Sequence, residues 1–152
     1  MKRILIEKEK RLLTVYDGRQ ALMQCAVALG REPVGHKLRE GDGKTPEGSY
    51  YICLKRENGK FGPALGISYP SFADAVRAVD DGRLSAGLLP LFEKVERKGE
   101  RPPWGSPLGG EIYIHGGGTG RDWTAGCVAV SNENMAKLFA LCHVGDRVEI
   151  NR

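Results

Sequence analysis

The four cysteines of this chain, Cys25, Cys53, Cys127 and Cys142, include no CxxC pair and no spacing that resembles a zinc site. That argues against a bound metal, and no other motif asks for a cofactor. No apolar run approaches the roughly 20 residues needed to span a bilayer. The basic start Met1-Lys2-Arg3 turns charged again at Glu7, too soon for the apolar stretch of a signal peptide. A cytoplasmic chain, or one whose leader lies outside these residues, is the expectation. An excess of one charge is also missing, since 23 basic against 19 acidic side chains give +4, with both signs mixed in Glu7-Lys8-Glu9-Lys10-Arg11. Without a compact basic stripe and interleaved aromatics, nucleic acid is not an expected partner. Internal repeats and low-complexity linkers are absent too, so residues 1–152 are expected to form a single domain, and a monomer.

Glycine, in contrast, is abundant. Twenty-one glycines and eight prolines spread along 152 residues predict many turns, and hence a protein richer in strands and loops than in long helices. Ile4-Leu5-Ile6, Arg11 to Tyr16 and residues 19–29 read as strands of a meander, with Asp17-Gly18 as a hairpin turn. The turn-rich Gly41 to Gly48 should be an ordered loop at the sheet edge, before strands Ser49 to Lys55 and Ala64 to Tyr69. Ser71 caps a predicted helix over 71–80 with Phe72, Ala75, Val76 and Val79 on one face, and Pro90 opens a second with Leu91, Phe92 and Val95 apolar. A strand from Glu111 to His115 follows. Ser131 caps a third helix, whose Met135, Leu138, Phe139 and Cys142 form a core-facing stripe, and Arg147 to Ile150 closes the sheet. Cys25 and Cys53 lie in apolar runs as buried small hydrophobes, with a disulfide between them left open.

His115 and Cys127 stand 127 − 115 = 12 positions apart, joined by a glycine-rich stretch that must loop back. Two readings are open. One is a hydrogen-bonded strand histidine beside a buried thiol. The other is a thiol nucleophile with its base, in which the imidazole takes the thiol proton or stabilises the thiolate as an ion pair. Small residues around Cys127 favour the second, because the amides of Gly126 and Cys127 can approach a substrate carbonyl as an oxyanion hole. Gly116, Gly117 and Gly118 would leave open space before the imidazole. Trp123 and Thr124 offer a flat wall and a hydroxyl to a substrate, and Tyr113 is a further contact. No Asp or Asn completes a triad, so a backbone carbonyl, that of Gly116 or a neighbour, is expected to hold Nδ1–H. His36, in a turn, and His143, after a helix end, are not expected to be catalytic.

These residues resemble the signature of the L,D-transpeptidase catalytic domain of the YkuD type: a strand ending in His-Gly, a glycine-rich loop, then [Ser/Thr]-x-Gly-Cys. Ile114-His115-Gly116 and Thr124-Ala125-Gly126-Cys127-Val128 carry it, with Gly41 to Tyr50 and Leu65 to Pro70 resembling upstream segments. The short loop is similar to a compact subgroup that attaches or detaches protein at the cell wall. The resemblance implies a mainly β fold with a few short helices, a sandwich or barrel, and attack by Cys127 on the bond between the L-centre of meso-diaminopimelate and D-alanine in a peptidoglycan stem, with His115 as base, in the periplasm or cell envelope. The acceptor is then an amine, a wall-linked protein or water. Carbapenems acylate members of the family. Where many members have histidine before Gly-Cys and arginine two residues after the cysteine, this chain has Ala125 and Ala129; Arg121, Lys44 or Arg101 could replace that arginine.

Overall fold

A computed structural model describes residues 1–152. Alternating apolar residues build the first meander: β1 (Lys2–Glu7), β2 (Leu12–Asp17) and β3 (Gln20–Ala26) pair antiparallel and bury Ile4, Ile6, Leu13, Val15 and Cys25 on one face. Gly18, at φ +60°, makes the Asp-Gly turn. The last strand, β8 (Arg147–Asn151), enters parallel to β1 and antiparallel to the start of β4 (Gly48–Gly59). Past Tyr51, β4 leaves β8 and pairs with β5 (Gly62–Ile67), which pairs with β6 (Tyr113–His115), and β6 with β7 (Val128–Ala129). The strand order is β3-β2-β1-β8-β4-β5-β6-β7 in one eight-stranded sheet.

The sheet curls until its ends meet. Beyond β3, Ala28 and Ala129 exchange amide-to-carbonyl bonds of 2.8 and 2.9 Å, and Gly30 bridges to Thr124. Every strand thereby turns an apolar face inward, and one cluster of 21 buried residues fills the interior. Helix α3 (Asn132–Leu141) covers it with Met135 and Leu138, and Cys142 follows fully buried, as the periodicity predicts. Helices α1 (Phe72–Asp80) and α2 (Leu89–Lys98) pack on each other around a second, smaller cluster that includes Ala75, Ala78, Phe92 and Leu108.

Several expected details change. β4 runs on past Lys55 to Gly59 and forms a hairpin with β5, although Arg56, Glu57 and Asn58 are exposed; backbone pairing, not apolar alternation, holds that arm. The α1 capping box is present, and it buries Asp74 with Ala75 and Ala78, leaving Phe72, Val76 and Val79 half-buried. Pro90 is the second helical residue rather than the first, because a short 3₁₀ turn, Ala86–Leu88, leads directly into Leu89; Leu91 is exposed. Glu111 has φ +55°, incompatible with a strand, so β6 starts at Tyr113. The 41–48 loop lies against the residues before Cys127 and not along a free edge. All four cysteines are free, and Cys53 is half-buried rather than buried.

Candidate active site

A parallel pair cannot be joined by a tight turn, so the twelve residues between β6 and β7 carry the chain back before the second strand begins. Ile114 pairs with Val128 and His115 with Ala129; one step earlier, Cys127 stands beside Tyr113. Ile114 and Val128 are fully buried on the inner face, so alternation turns Tyr113, His115 and Cys127 to the other. Two residues along a strand and one strand across put the His115 and Cys127 Cα atoms about 8 Å apart. Both side chains line a cavity of about 150 Å³ with Arg56, Gly59, Lys60, Phe61, Ala64 and Tyr113. A larger hollow of about 400 Å³, between the start of β4 and helices α1 and α2, contains neither.

The Cys127 Sγ accepts from the Tyr113 amide at 3.3 Å and donates to the Glu111 carbonyl at 3.5 Å. That carbonyl is presented by the left-handed Glu111 backbone. Burial pushes the thiol above its ordinary 9.0, outweighing the Tyr113 amide and the nearby Lys37 charge, which favour the thiolate. The imidazole moves the other way. Burial lowers His115 below 6.5, against the opposing hydrogen bond to Gly116. Both groups are therefore neutral near pH 7, which disfavours the resting ion pair.

His115 Nδ1 lies 2.6 Å from the Gly116 carbonyl oxygen. A carbonyl only accepts, so Nδ1 carries the proton and Nε2 the lone pair. The ring stacks on Phe61 at 4.5 Å and meets Trp123 edge-on at 5.7 Å. Gly116 and Gly117 thus do not open space in front of it but admit neighbours: a Cβ on Gly116 would run into Asn132 Oδ1 and one on Gly117 would lie 2.8 Å from the Trp123 ring, whereas beside Gly118, at φ +105°, the space is open. Trp123 itself is fixed by donating to the Gly118 carbonyl at 3.0 Å, and it walls the His115 ring rather than the open cavity.

Thr124 is buried and its hydroxyl is spent internally, donating to the Cys127 carbonyl at 2.7 Å and accepting from the Gly126 amide at 3.1 Å. It shapes the turn that leads into Cys127 and is not free for a substrate. The Gly126 amide is likewise committed, whereas the Cys127 amide has no acceptor within the protein and can serve an oxyanion. Gly126 adopts φ +141°, and a Cβ there would meet the Lys44 carbonyl oxygen at 2.7 Å, with Lys37 Nζ at 3.6 Å. The 41–48 loop is therefore the backing of this turn. Asp42 organises it, accepting from the Lys37 ammonium and the Leu38, Arg39 and Lys44 amides. Asp122 anchors the long loop from outside, pairing with Arg11 and accepting from the Leu29 amide.

Ala125 is exposed beside the turn. None of the three cations proposed from the sequence lines the cavity. Arg121 borders a separate shallow hollow with Gly117, Gly118 and Trp123. Lys44 Nζ points toward Gly35. Arg101 lies over the Trp104 ring. Arg56, Lys60 and Phe61 of the β4–β5 hairpin, and Lys37, escaped notice because no local pattern ties them to positions 115 and 127. His36 binds Asp74 at 2.9 Å, accepts from the Glu47 amide and is structural, and His143 is exposed.

A family model described as YkuD, L,D-transpeptidase catalytic domain, matches residues 1–150. No curated protein matches the chain. Among solved structures, the helical cell shape determining protein Pgp2 from Campylobacter jejuni is 26% identical with a TM-score of 0.66, covering 98% of this chain and 46% of that one. An L,D-transpeptidase from Mycobacterium smegmatis is 12% identical with a TM-score of 0.59, covering 99% and 58%. L,D-transpeptidase 1 from Mycobacterium tuberculosis is 15% identical with a TM-score of 0.57, covering 99% and 62%. The chain thus spans about half the length of these structures, and the latter two likenesses concern the fold alone.

Proposed function

This chain belongs to the L,D-transpeptidase catalytic domain family, and from that membership we propose that it is a cysteine-dependent enzyme acting on peptidoglycan stem peptides, with Cys127 as nucleophile and His115 as base. The observation that carries this reading is the shared cavity, lined by both the thiol and an imidazole whose Nδ1 proton is already held by the Gly116 carbonyl. On substrate binding the thiol leaves the Glu111 carbonyl and gives its proton to Nε2 as Sγ attacks the carbonyl carbon between diaminopimelate and D-alanine. The developing oxyanion takes the free Cys127 amide. Collapse returns the Nε2 proton to the departing D-alanine amine and leaves a thioester on Cys127. A second amine, deprotonated by Nε2, then forms a cross-link or a bond to a wall-linked protein.

Water as acceptor makes the same site an L,D-carboxypeptidase or a peptidoglycan–protein amidase. The cavity of about 150 Å³ favours keeping that alternative, since it admits water directly and is small for two peptides at once. Either activity puts the working site in the periplasm or cell envelope, where the substrate is. Similarity to a protein described as determining helical cell shape supports a part in shaping the wall. A wall-binding module without catalysis would need neither the fixed tautomer nor the free amide. Intact-mass measurement after carbapenem treatment tests the site: one adduct on the wild type and none on Cys127→Ala is expected, and an adduct that persists in Cys127→Ala overturns the assignment.

A further inference from the structure

Cross-strand registers align four residues in a single row: Arg56 opposite Ala64, Ala64 opposite His115, and His115 opposite Ala129. Directly opposed residues project from the same face of a sheet, so Arg56 rises on the face that carries His115 and Cys127. Ala129, where the family resemblance leads to an arginine, is fully buried and contributes only a methyl group. The intervening Ala64 is equally small, and an arginine side chain two strands from His115, about 10 Å away at the Cα atoms, reaches over it. Arg56 does line the cavity. Its guanidinium donates to the Tyr113 hydroxyl at 3.4 Å and sits 5.8 Å from the centre of that ring, beside the residue whose amide touches the Cys127 sulfur. It forms no ion pair; of the other cations nearby, Lys37 is spent on Asp42, and Lys60, which also lines the cavity, lies over the Phe61 ring at 5.5 Å rather than in the row with His115.

We propose that Arg56 binds a carboxylate of the donor stem peptide, supplying from β4 the charge that Ala129 does not. This rests on the reading of the stem as donor. A planar guanidinium steadied over an aromatic ring retains donors for a bidentate carboxylate, and a substrate that excludes water from the cavity strengthens the pair. Two carboxylates stand near the scissile bond: that of the leaving D-alanine and that of the diaminopimelate side-chain centre. Each can be removed by amidation.

The test combines Arg56→Gln and Arg56→Lys with three tetrapeptide stems, one unmodified, one ending in D-alaninamide and one amidated on diaminopimelate. Turnover is measured on the active protein and calorimetric affinity on the Cys127→Ala background. Arg56→Gln is expected to raise KM and Kd for the unmodified peptide by about tenfold, with kcat changed less than about threefold and Arg56→Lys in between. Amidating the paired carboxylate should cost the wild type the same factor and Arg56→Gln nothing more, which identifies the carboxylate. Unchanged KM and Kd, or losses that simply add with both amidated peptides, overturn the proposal. If the wild type releases D-alanine from none of them, the reaction reading fails, and the Kd comparison alone decides Arg56: a loss cancelled by one amidation upholds it, and no loss or no binding refutes it. Arg56 is exposed, forms no ion pair and makes only a long hydrogen bond to Tyr113, so an unchanged melting temperature should accompany each variant.

Discussion

At the residue scale, the reactivity of Cys127 follows from what surrounds it. Two contacts favour the thiolate, the Tyr113 amide and the Lys37 charge, and burial outweighs both. Alkylation by iodoacetamide should therefore accelerate as pH rises through and beyond 9; a fast plateau below pH 7 would instead reveal a thiolate–imidazolium pair. The proposed base must be neutral to take the thiol proton, and burial keeps the His115 imidazole below 6.5, so the acid limb of kcat/KM should fall at a pH lower than 6.5. Thr124 makes a second test. Thr124→Val leaves the buried Gly126 amide without its acceptor, a loss of about 1–3 kcal/mol in stability, and should lower kcat more than it raises KM, whereas Thr124→Ser should restore both. A Val variant with unchanged kcat would show that the turn holds its shape without the hydroxyl.

At the element scale, the site is a junction of three loops on a rigid parallel pair. Gly126→Ala combines a positive φ with a 2.7 Å approach to the Lys44 carbonyl, and backbone cannot yield as a side chain can. Denaturant unfolding should show a loss of about 2 kcal/mol or more, and a variant as stable as the wild type would mean that the 41–48 loop is free to move. The value of that loop was legible only in part. Its turn formers marked order, but its packing on Gly126 joins segments about 80 residues apart, which no local period encodes. The Ser71–Asp74 and Ser131–Asn134 caps and the α3 stripe could be read because both partners lie within a turn or two. The hairpin arm carrying Arg56 and Phe61 could not, since its exposed polar residues break the alternation that signals a half-buried strand. His115 and Cys127 were visible as a pair, but their common face depends on the β6–β7 register, and the commitment of the Gly126 amide to Thr124 on a three-dimensional turn.

For the whole molecule, a sheet that curls to join its own ends makes the site depend on global stability, because the Ala28–Ala129 bridge is made by β7, the strand that directly follows Cys127. Three carboxylates tie loops and a helix start to the rest of the fold. Burial opposes ionisation of Asp42, Asp74 and Asp122, and hydrogen bonds and cations outweigh it, so all three lie below 3.8. Their folded values are depressed, so their contribution is complete above about 3.8 and is lost as pH falls through the folded values. His115 is also depressed, and a neutral buried imidazole stabilises above 6.5 and less below it. The melting temperature should decline slightly below pH 6.5 and steeply below about 3.8, with Asp42→Asn less stable at pH 7 and flatter in acid; a melting temperature constant from pH 7 to 3 would contradict this. The central claim, a thiol acyl-transfer site built from Cys127 and His115, meets its most direct test in muropeptides bearing tetrapeptide stems, incubated with the wild type and Cys127→Ala and analysed by mass. The account predicts D-alanine release by the wild type, with dimers or tripeptides as products, and none by the variant; intact tetrapeptides with the wild type, or equal release by Cys127→Ala, would contradict it.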